Sequence, residues 1–270
     1  LSAAGEIEPA PLDLEAAMDA AWPALERHDA GGWVLRAAGG VTQRANSVWP
    51  RALDAGQSDD DLPALLADAR SWYRSRRLPV IFQVFDDVRN AALNAVLDEQ
   101  GFTRQSETVI MVRGTRGAGD AQVDAGVGIA AEPSEEWLRL WWDVDGRGGG
   151  EALATARKIL TGCPSLYALL RDDDGTPAAV GRLAVPATGP GAWGGLYGMA
   201  TRPDVRRRGY AARILRSLVQ AGTAQGLDGY WLLVTAANHG AQELYAKAGF
   251  REAGRYLYRQ ERPRRSLTGC

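Results

Sequence analysis

The stretch that decides the fold is LYGMATRPDVRRRGYAARIL, Leu196 to Leu215. Its opening residues continue a strand that begins at Trp193 and runs to Thr201. Its closing residues begin a helix, Arg208 to Gln225, with Ala211, Ile214, Leu215, Leu218 and Val219 on one face. The short loop between them carries Arg206, Arg207, Arg208, Gly209, Tyr210 and Ala211. A helix start presents backbone N–H groups without partners inside the helix, and the helix dipole is positive there. Gly209 lets the backbone approach a ligand, Ala211 adds almost no bulk, and three arginines raise the local potential. Two readings stand: a seat for a pyrophosphate or similar anion, or a solvated basic helix start. A Walker loop is excluded because G-x-x-x-x-G-K-[ST] is missing, and a dinucleotide fingerprint because G-x-G-x-x-G is missing from the turn.

Downstream, GYWLLVT (Gly229 to Thr235) reads as a buried strand. NHGAQELYAKAGF follows: a helix from Asn238 to Ala248, stopped by Gly249, then a strand from Phe250 to Gln260. Upstream lie a short strand, Val127 to Ala131, and two helical segments, Ser134 to Val144 and Glu151 to Leu160. The segments Ser165 to Arg171 and Ala178 to Val185 alternate around the turn DDDGTP and form a hairpin. Asp172 to Asp174 are expected to be solvated.

The plan recurs earlier in the chain. NAALNAVLDEQGF (Asn90 to Phe102) aligns without a gap on Asn238 to Phe250, with Leu97 where Tyr245 stands. Before it come a hairpin turning at Gly39-Gly40, a helix from Asp60 to Arg76 and the buried strand PVIFQVF; SETVIMVR closes the unit. Strand–crossover helix–strand order implies parallel pairs. The expected fold is α/β: two tandem lobes, each a mixed sheet flanked by helices. The predicted boundaries are 1–113 for a first lobe, 114–126 for a Gly- and charge-rich linker, 127–262 for a second lobe and 263–270 for a tail.

Composition narrows the class. The chain has 270 residues, 46% hydrophobic and 24% charged, with a net charge of −2. That balance excludes a general nucleic-acid binder, which would carry a basic excess. No apolar run reaches the ~20 residues of a membrane span, and LSAAGEIEPAPLDLE lacks the pattern of a signal peptide, so a cytoplasmic location is expected. Cys163 and Cys270 stand far apart and read as free thiols, and no metal-ligand spacing occurs.

Arg206-x-x-Gly209-x-Ala211 resembles the R/Q-x-x-G-x-G/A loop of the GNAT N-acetyltransferase superfamily. Asn238, Ala241, Leu244, Tyr245, Lys247, Gly249 and Phe250 fit that superfamily's N-x-x-A-x-x-L-Y-x-K-x-G-F pattern. The repeated plan is similar to the tandem arrangement of mycothiol synthase and related actinobacterial proteins. The resemblance implies a centrally splayed sheet in each lobe and acetyl-CoA as acyl donor without a metal. It implies that the amides of Arg206 to Ala211 hold the pyrophosphate, and that the backbone of Met199, Ala200 and Thr201 lines the pantetheine. Asn238 and Ala241 would contact the donor, and Tyr245 would protonate the departing thiolate, which a phenol can do and Leu97 cannot. The expected acceptor is a primary amine on a small molecule or peptide, and the protein is expected as a monomer or homodimer.

Other readings of the same residues stay open. Tyr245 also reads as a packing residue, Asn238 as a helix cap, and Lys247 as solvated. Trp141, Trp142 and Asp143 read either as an amine pocket, by cation–π contact and charge, or as core tryptophans with a helix-end carboxylate. No carboxylate lies on the central strand; Glu132, Asp143, Asp145 and Glu243 are candidates elsewhere for a base, and a water chain ending at a backbone carbonyl is an equal alternative. Asp59, Asp60 and Asp61 stand where a phosphate would sit in the first lobe, which argues against donor binding there. The alternative function is a catalytically inactive acyl-CoA-binding regulatory or scaffold protein.

Overall fold

The computed structural model describes residues 11–115, 124–189 and 191–262. In chain order the elements are α1 (Pro11–Ala21), β1 (Glu26–Ala30), β2 (Trp33–Ala37), β3 (Val48–Pro50), α2 (Leu62–Ser75), β4 (Ile81–Phe85), α3 (Ala91–Glu99) and β5 (Thr103–Gly114). They continue with β6 (Val127–Ala130), α4 (Glu135–Asp145), α5 (Gly150–Thr161), β7 (Ser165–Arg171), β8 (Pro177–Ala184), β9 (Trp193–Thr201), α6 (Tyr210–Ala224), β10 (Gly229–Thr235), α7 (His239–Lys247) and β11 (Arg251–Gln260). Most of the expected linker, the expected tail and Cys270 lie outside the described residues.

By packing, the chain forms two compact units, each assembled from three stretches. The first comprises Leu1–Pro23, Gly114–Asp145 and Leu160–Trp231; the second comprises Ala24–Arg113, Gly146–Ile159 and Leu232–Cys270. The division falls inside β10.

In the first unit the sheet order is β9-β8-β7-β6, with antiparallel pairing throughout. One face carries α6, whose buried Ile214, Leu215, Leu218 and Val219 supply the expected apolar stripe. The close fit is made possible by Gly181, where a Cβ would come within 2.6 Å of Ile214 Cγ2 and of Met199 Sδ. The other face carries α4. Its Trp137 is 1% exposed and donates from Nε1 to the carbonyls of Ala168 (3.0 Å) and Gly181 (3.2 Å). A buried indole needs such a partner, and here the partners fix the helix on the sheet.

In the second unit the sheet order is β1-β2-β3-β4-β11-β5. It is mixed. β3 and β4 run parallel, with Val48 in register with Phe82. One side of the sheet is closed by α2 and α3 over a core that includes Trp33, Leu35, Phe82, Leu66, Tyr73, Leu97 and Phe102.

The strand thought to end the second lobe, β11, inserts between β4 and β5, pairing Tyr258 with Gln83 on one side and with Gln105 on the other. The early strand–helix–strand segment therefore does not close its own sheet. Arg259 of β11 is fully buried and donates to Asn94 Oδ1 (2.8 Å) and Asp98 Oδ1 (2.5 Å) on α3, which holds the Asp98 carboxyl below the usual carboxylate range.

Two elements were not anticipated. Helix α1 has no marked apolar stripe in its sequence, and β1 pairs with β2 through Gly31 (φ 56°) and Gly32 (φ 79°), a two-residue turn of the left-handed kind that suits hairpins. Its sequence ERHDA has no alternation because β1 is an edge strand with four exposed residues. The turn expected at Gly39-Gly40 is a longer loop. Asn46 organises it by accepting from the N–H groups of Ala38 and Gly40 and donating to the carbonyls of Val41 and Thr42.

Candidate active site

In the first unit, β9 bends before it reaches the basic loop. Val180 pairs with Ala200 and Arg182 with Tyr197, so Gly198 and Met199 together oppose Gly181. This bulge has Gly198 at φ 59°, and a Cβ there would come 3.2 Å from Trp137. Only glycine takes that conformation without strain, and bulges of this kind re-aim a strand. Beyond it Met199 and Thr201 are half-buried and Ala200 is buried.

The loop that follows is clamped at its base. Arg202 donates to the carbonyl of Pro177 (2.9 Å) and forms ion pairs with Asp172 (2.7 Å) and Asp204 (2.7 Å). Asp172 is not the solvated turn residue expected. Its side chain is 8% exposed, accepts from the N–H groups of Asp174 and Thr176, and is held below the usual carboxylate range by Arg202. By contrast Arg206, Arg207 and Arg208 are exposed and form no ion pair among the described residues; Arg206 Nε donates to the Thr201 carbonyl at 3.3 Å.

Arg207 at φ 67° and Gly209 at φ 82° are both left-handed. Such alternations turn successive N–H groups into concave anion seats. The first helical amide with a ladder partner is that of Arg213, bonded to the Gly209 carbonyl at 3.1 Å. The amides of Tyr210, Ala211 and Ala212 precede it and lie in the unpaired first turn. Nothing lies within 4 Å of a Cβ built on Gly209, so the approach to these amides is open. Tyr210 packs inward and Ala211 is half-buried. Uncompensated positive charge, a left-handed turn and free amides fit a phosphate-bearing ligand.

In the second unit, Asn238 caps α7: its Oδ1 accepts from the Ala241 N–H at 3.1 Å. Tyr245 is 8% exposed, its ring 6.2 Å from that of Phe250. Gly249 (φ 86°) ends the helix, and Phe250 N–H returns to the Tyr245 carbonyl at 3.0 Å. The earlier copy has the same ending: Gly101 at φ 73°, and Phe102 N–H on the Leu97 carbonyl at 2.9 Å. The repeat in sequence is thus a repeat in backbone. Leu97 is fully buried in the core, the position at which the later copy has a phenol. The capping residues differ, since Asn90 is buried and donates to the Phe85 carbonyl.

The family described as "Probable histone acetyltransferase Rv0428c C-terminal" matches residues 12–259. The chain belongs to the GNAT acetyltransferases. YobR of Bacillus subtilis, an uncharacterized N-acetyltransferase, is 28% identical over 250 residues, covering 90% of this chain and 95% of that protein. The probable histone acetyltransferase Rv0428c of Mycobacterium tuberculosis is 29% identical over 164 residues, 56% of this chain and 49% of that protein. Among solved structures, a GCN5-related N-acetyltransferase from Kribbella flavida superposes with a TM-score of 0.68 at 19% identity, covering 95% and 97% of the two chains. A tandem GNAT protein from the clavulanic acid biosynthesis pathway superposes with a TM-score of 0.64 at 15% identity, covering 96% and 91%. The likeness in fold therefore extends over the whole acetyltransferase, including the first half of the chain.

The aromatic residues expected near the acceptor divide. Trp141 is 5% exposed and packs against Trp137 (6.0 Å) and Trp22 (6.5 Å), directly beside the Gly198 bulge. Trp142 is half-buried and Asp143 exposed. Glu132, Asp145 and Glu243 are exposed as well. Two features escaped the sequence reading: the bulge, signalled only by a glycine inside a strand, and Arg182, a fully buried arginine whose strand reads as apolar. Among the described residues no group of His, Cys, Asp and Glu is arranged to hold a metal ion, and no helix is long and apolar enough to cross a membrane.

Proposed function

We propose that this acetyltransferase transfers an acetyl group from acetyl-CoA directly to a primary amine. The reading rests on one observation above the others: an open, unpaired set of amides behind Gly209, ringed by three exposed arginines. Arg206 to Ala211 hold the donor's pyrophosphate, the β9 backbone from Met199 to Thr201 lines its pantetheine arm, and Asn238 and Ala241 contribute from the start of α7. When bound, acetyl-CoA supplies an activated acyl carbon and a thiolate leaving group.

Tyr245 is the general acid that protonates that thiolate. A phenol hydroxyl carries a proton that it can give to a departing thiolate. The motif around Tyr245 supports the role, as does its replacement by leucine in the otherwise parallel first copy. The acceptor must lose a proton before it attacks, and no carboxylate on β9 takes it. A water chain to the exposed carboxylates or to a backbone carbonyl serves instead. The first lobe, residues 1–113, is a degenerate copy that does not bind the donor. Its Asp59 to Asp61 form the acidic first turn ahead of α2, with Ser58 N–H donating to Asp61 Oδ2 at 2.9 Å, a charge arrangement that disfavours phosphate. The protein works in the cytoplasm as a monomer or homodimer.

Calorimetric titration with acetyl-CoA tests the reading: saturable binding is expected, and its absence would refute it. Thiol release in the presence of an amine library separates the enzyme from a binding protein that has lost catalysis.

A further inference from the structure

Arg182 sits in the middle of β8, opposite Tyr167 on β7 and Tyr197 on β9. It is fully buried. Its Nε donates to Ser165 Oγ at 3.0 Å and its Nη1 to the carbonyl of Ala21, at the end of α1, at 2.9 Å. Its Nη2 is buried and has no hydrogen-bond partner. No carboxylate forms an ion pair with it among the described residues. Two aromatic rings lie beside it instead: the guanidinium carbon is 5.7 Å from the centroids of both Trp22 and Tyr197, which are themselves 5.4 Å apart.

A buried guanidinium with only neutral partners is costly, and an unsatisfied charged donor more so. The contact with the α1 C-terminus, where the helix dipole is negative, and the two neighbouring rings offset part of that cost. They do nothing for Nη2, whose protons face no acceptor. The location gives the deficit a meaning. Tyr197 directly precedes the Gly198 bulge, and Trp141, beside that bulge, packs on Trp22. A cation already occupies this aromatic group, so a substrate ammonium would be repelled there and an anion drawn in.

We propose that Arg182 is the specificity-determining residue for the acceptor, and that its Nη2 binds a carboxylate carried by the amine substrate. This rests on the amine-acetylation reading above and narrows the acceptor to amino acids and related amines bearing a carboxylate. Trp22, on the bend that follows α1, covers the guanidinium, and its displacement admits the carboxylate. A planar guanidinium–carboxylate contact then satisfies the orphan donor and orients the amine.

The test compares paired acceptors, each amino acid against the same amine without its carboxylate, in the wild type, Arg182→Lys and Arg182→Met. The wild type should favour the carboxylate-bearing partner in kcat/KM by about 100-fold or more, because a site built for a polar group rejects the analogue lacking it. Arg182→Met should bring the ratio close to one, and Arg182→Lys should leave only part of it. The ratio is read within one preparation, so partial unfolding of a variant cancels. A carboxylic acid lacking the amine should compete with the acceptor and raise the melting temperature of the wild type but not of Arg182→Met. Competition as strong from inorganic phosphate would overturn the carboxylate assignment in favour of general anion binding. Equal acetylation of the paired amines by the wild type would overturn this inference and leave acetyl transfer intact. Absence of both acetyl-CoA binding and turnover would instead remove the reading beneath it, while the melting shift still reports on Arg182.

Discussion

Replacing Gly209 by alanine isolates what the anion seat contributes. Gly209 has φ 82°, and nothing lies within 4 Å of where a Cβ would stand, so the substitution meets no clash. Its whole cost is conformational, about 1–2 kcal/mol for an L-residue held in the left-handed region. Gly226, beyond the other end of α6, is an internal control: its φ is 85° and it also has open space around it. The two substitutions should destabilise alike, lowering the melting temperature by roughly 2–8 °C in a protein of this size. They should part company in ligand binding. At Gly209 the strain is relieved by rotating the peptide units ahead of the Arg213 amide, which misaligns the N–H groups of Tyr210 and Ala211. If most of the strain is spent this way, acetyl-CoA affinity falls about tenfold, since 1.4 kcal/mol is one decade. Gly226→Ala should bind acetyl-CoA like the wild type. Thermal melts and calorimetric titrations on the three proteins give both numbers. Equal affinity in all three, or an equal loss in both variants, would refute the assignment of the seat.

Further outcomes follow from neighbouring residues. Tyr245→Phe keeps the ring against Phe250 and should lower turnover by about 10²–10⁴-fold with little change in acetyl-CoA affinity; steady-state kinetics with unchanged kcat would remove the acid role. Arg208→Glu should weaken acetyl-CoA binding, and the deficit should shrink as salt rises from about 0.01 to 1 M; a salt-independent deficit would point to structure rather than charge. Asp172→Asn breaks the clamp on the loop. Because Arg202 lowers the folded-state pKa of Asp172, the pair stabilises fully above the unfolded value of about 3.9 and is lost as the pH falls through the lower folded value. The melting-temperature gap between wild type and variant should therefore be constant near neutrality and close in acid. A gap that does not narrow as the solution is acidified would contradict the ion pair as its source.

Much of this was legible in the sequence because period and punctuation agreed. Strands β9 and β10 match their expected limits, and α6 and α7 differ from theirs by a residue or two. The glycines that stop α3 and α7 have the left-handed φ that their motif demands. What stayed hidden depends on partners far along the chain. Nothing in REAGRYLYRQ announces that it pairs with Ile81–Phe85 on one edge and Thr103–Gly114 on the other, since register across long separations leaves no local pattern. Asp172 looks solvated in the sequence because the Arg202 that pairs with it stands thirty positions away. Arg182 looked ordinary because burial of a charge is a property of packing, and the strand around it is apolar in any case.

The insertion of β11 has a bearing on how the molecule comes into being. The strands flanking it are finished some 140 residues before it, so during synthesis they wait with unpaired edges on facing sides, a template for any stray extended peptide. Only when Tyr256 and Tyr258 arrive and Arg259 latches onto Asn94 and Asp98 does the early half acquire a complete sheet. A fragment cut at Arg113 would be an unfinished object with an adhesive gap, and a synthetic Arg251–Gln260 peptide is the natural candidate to fill it.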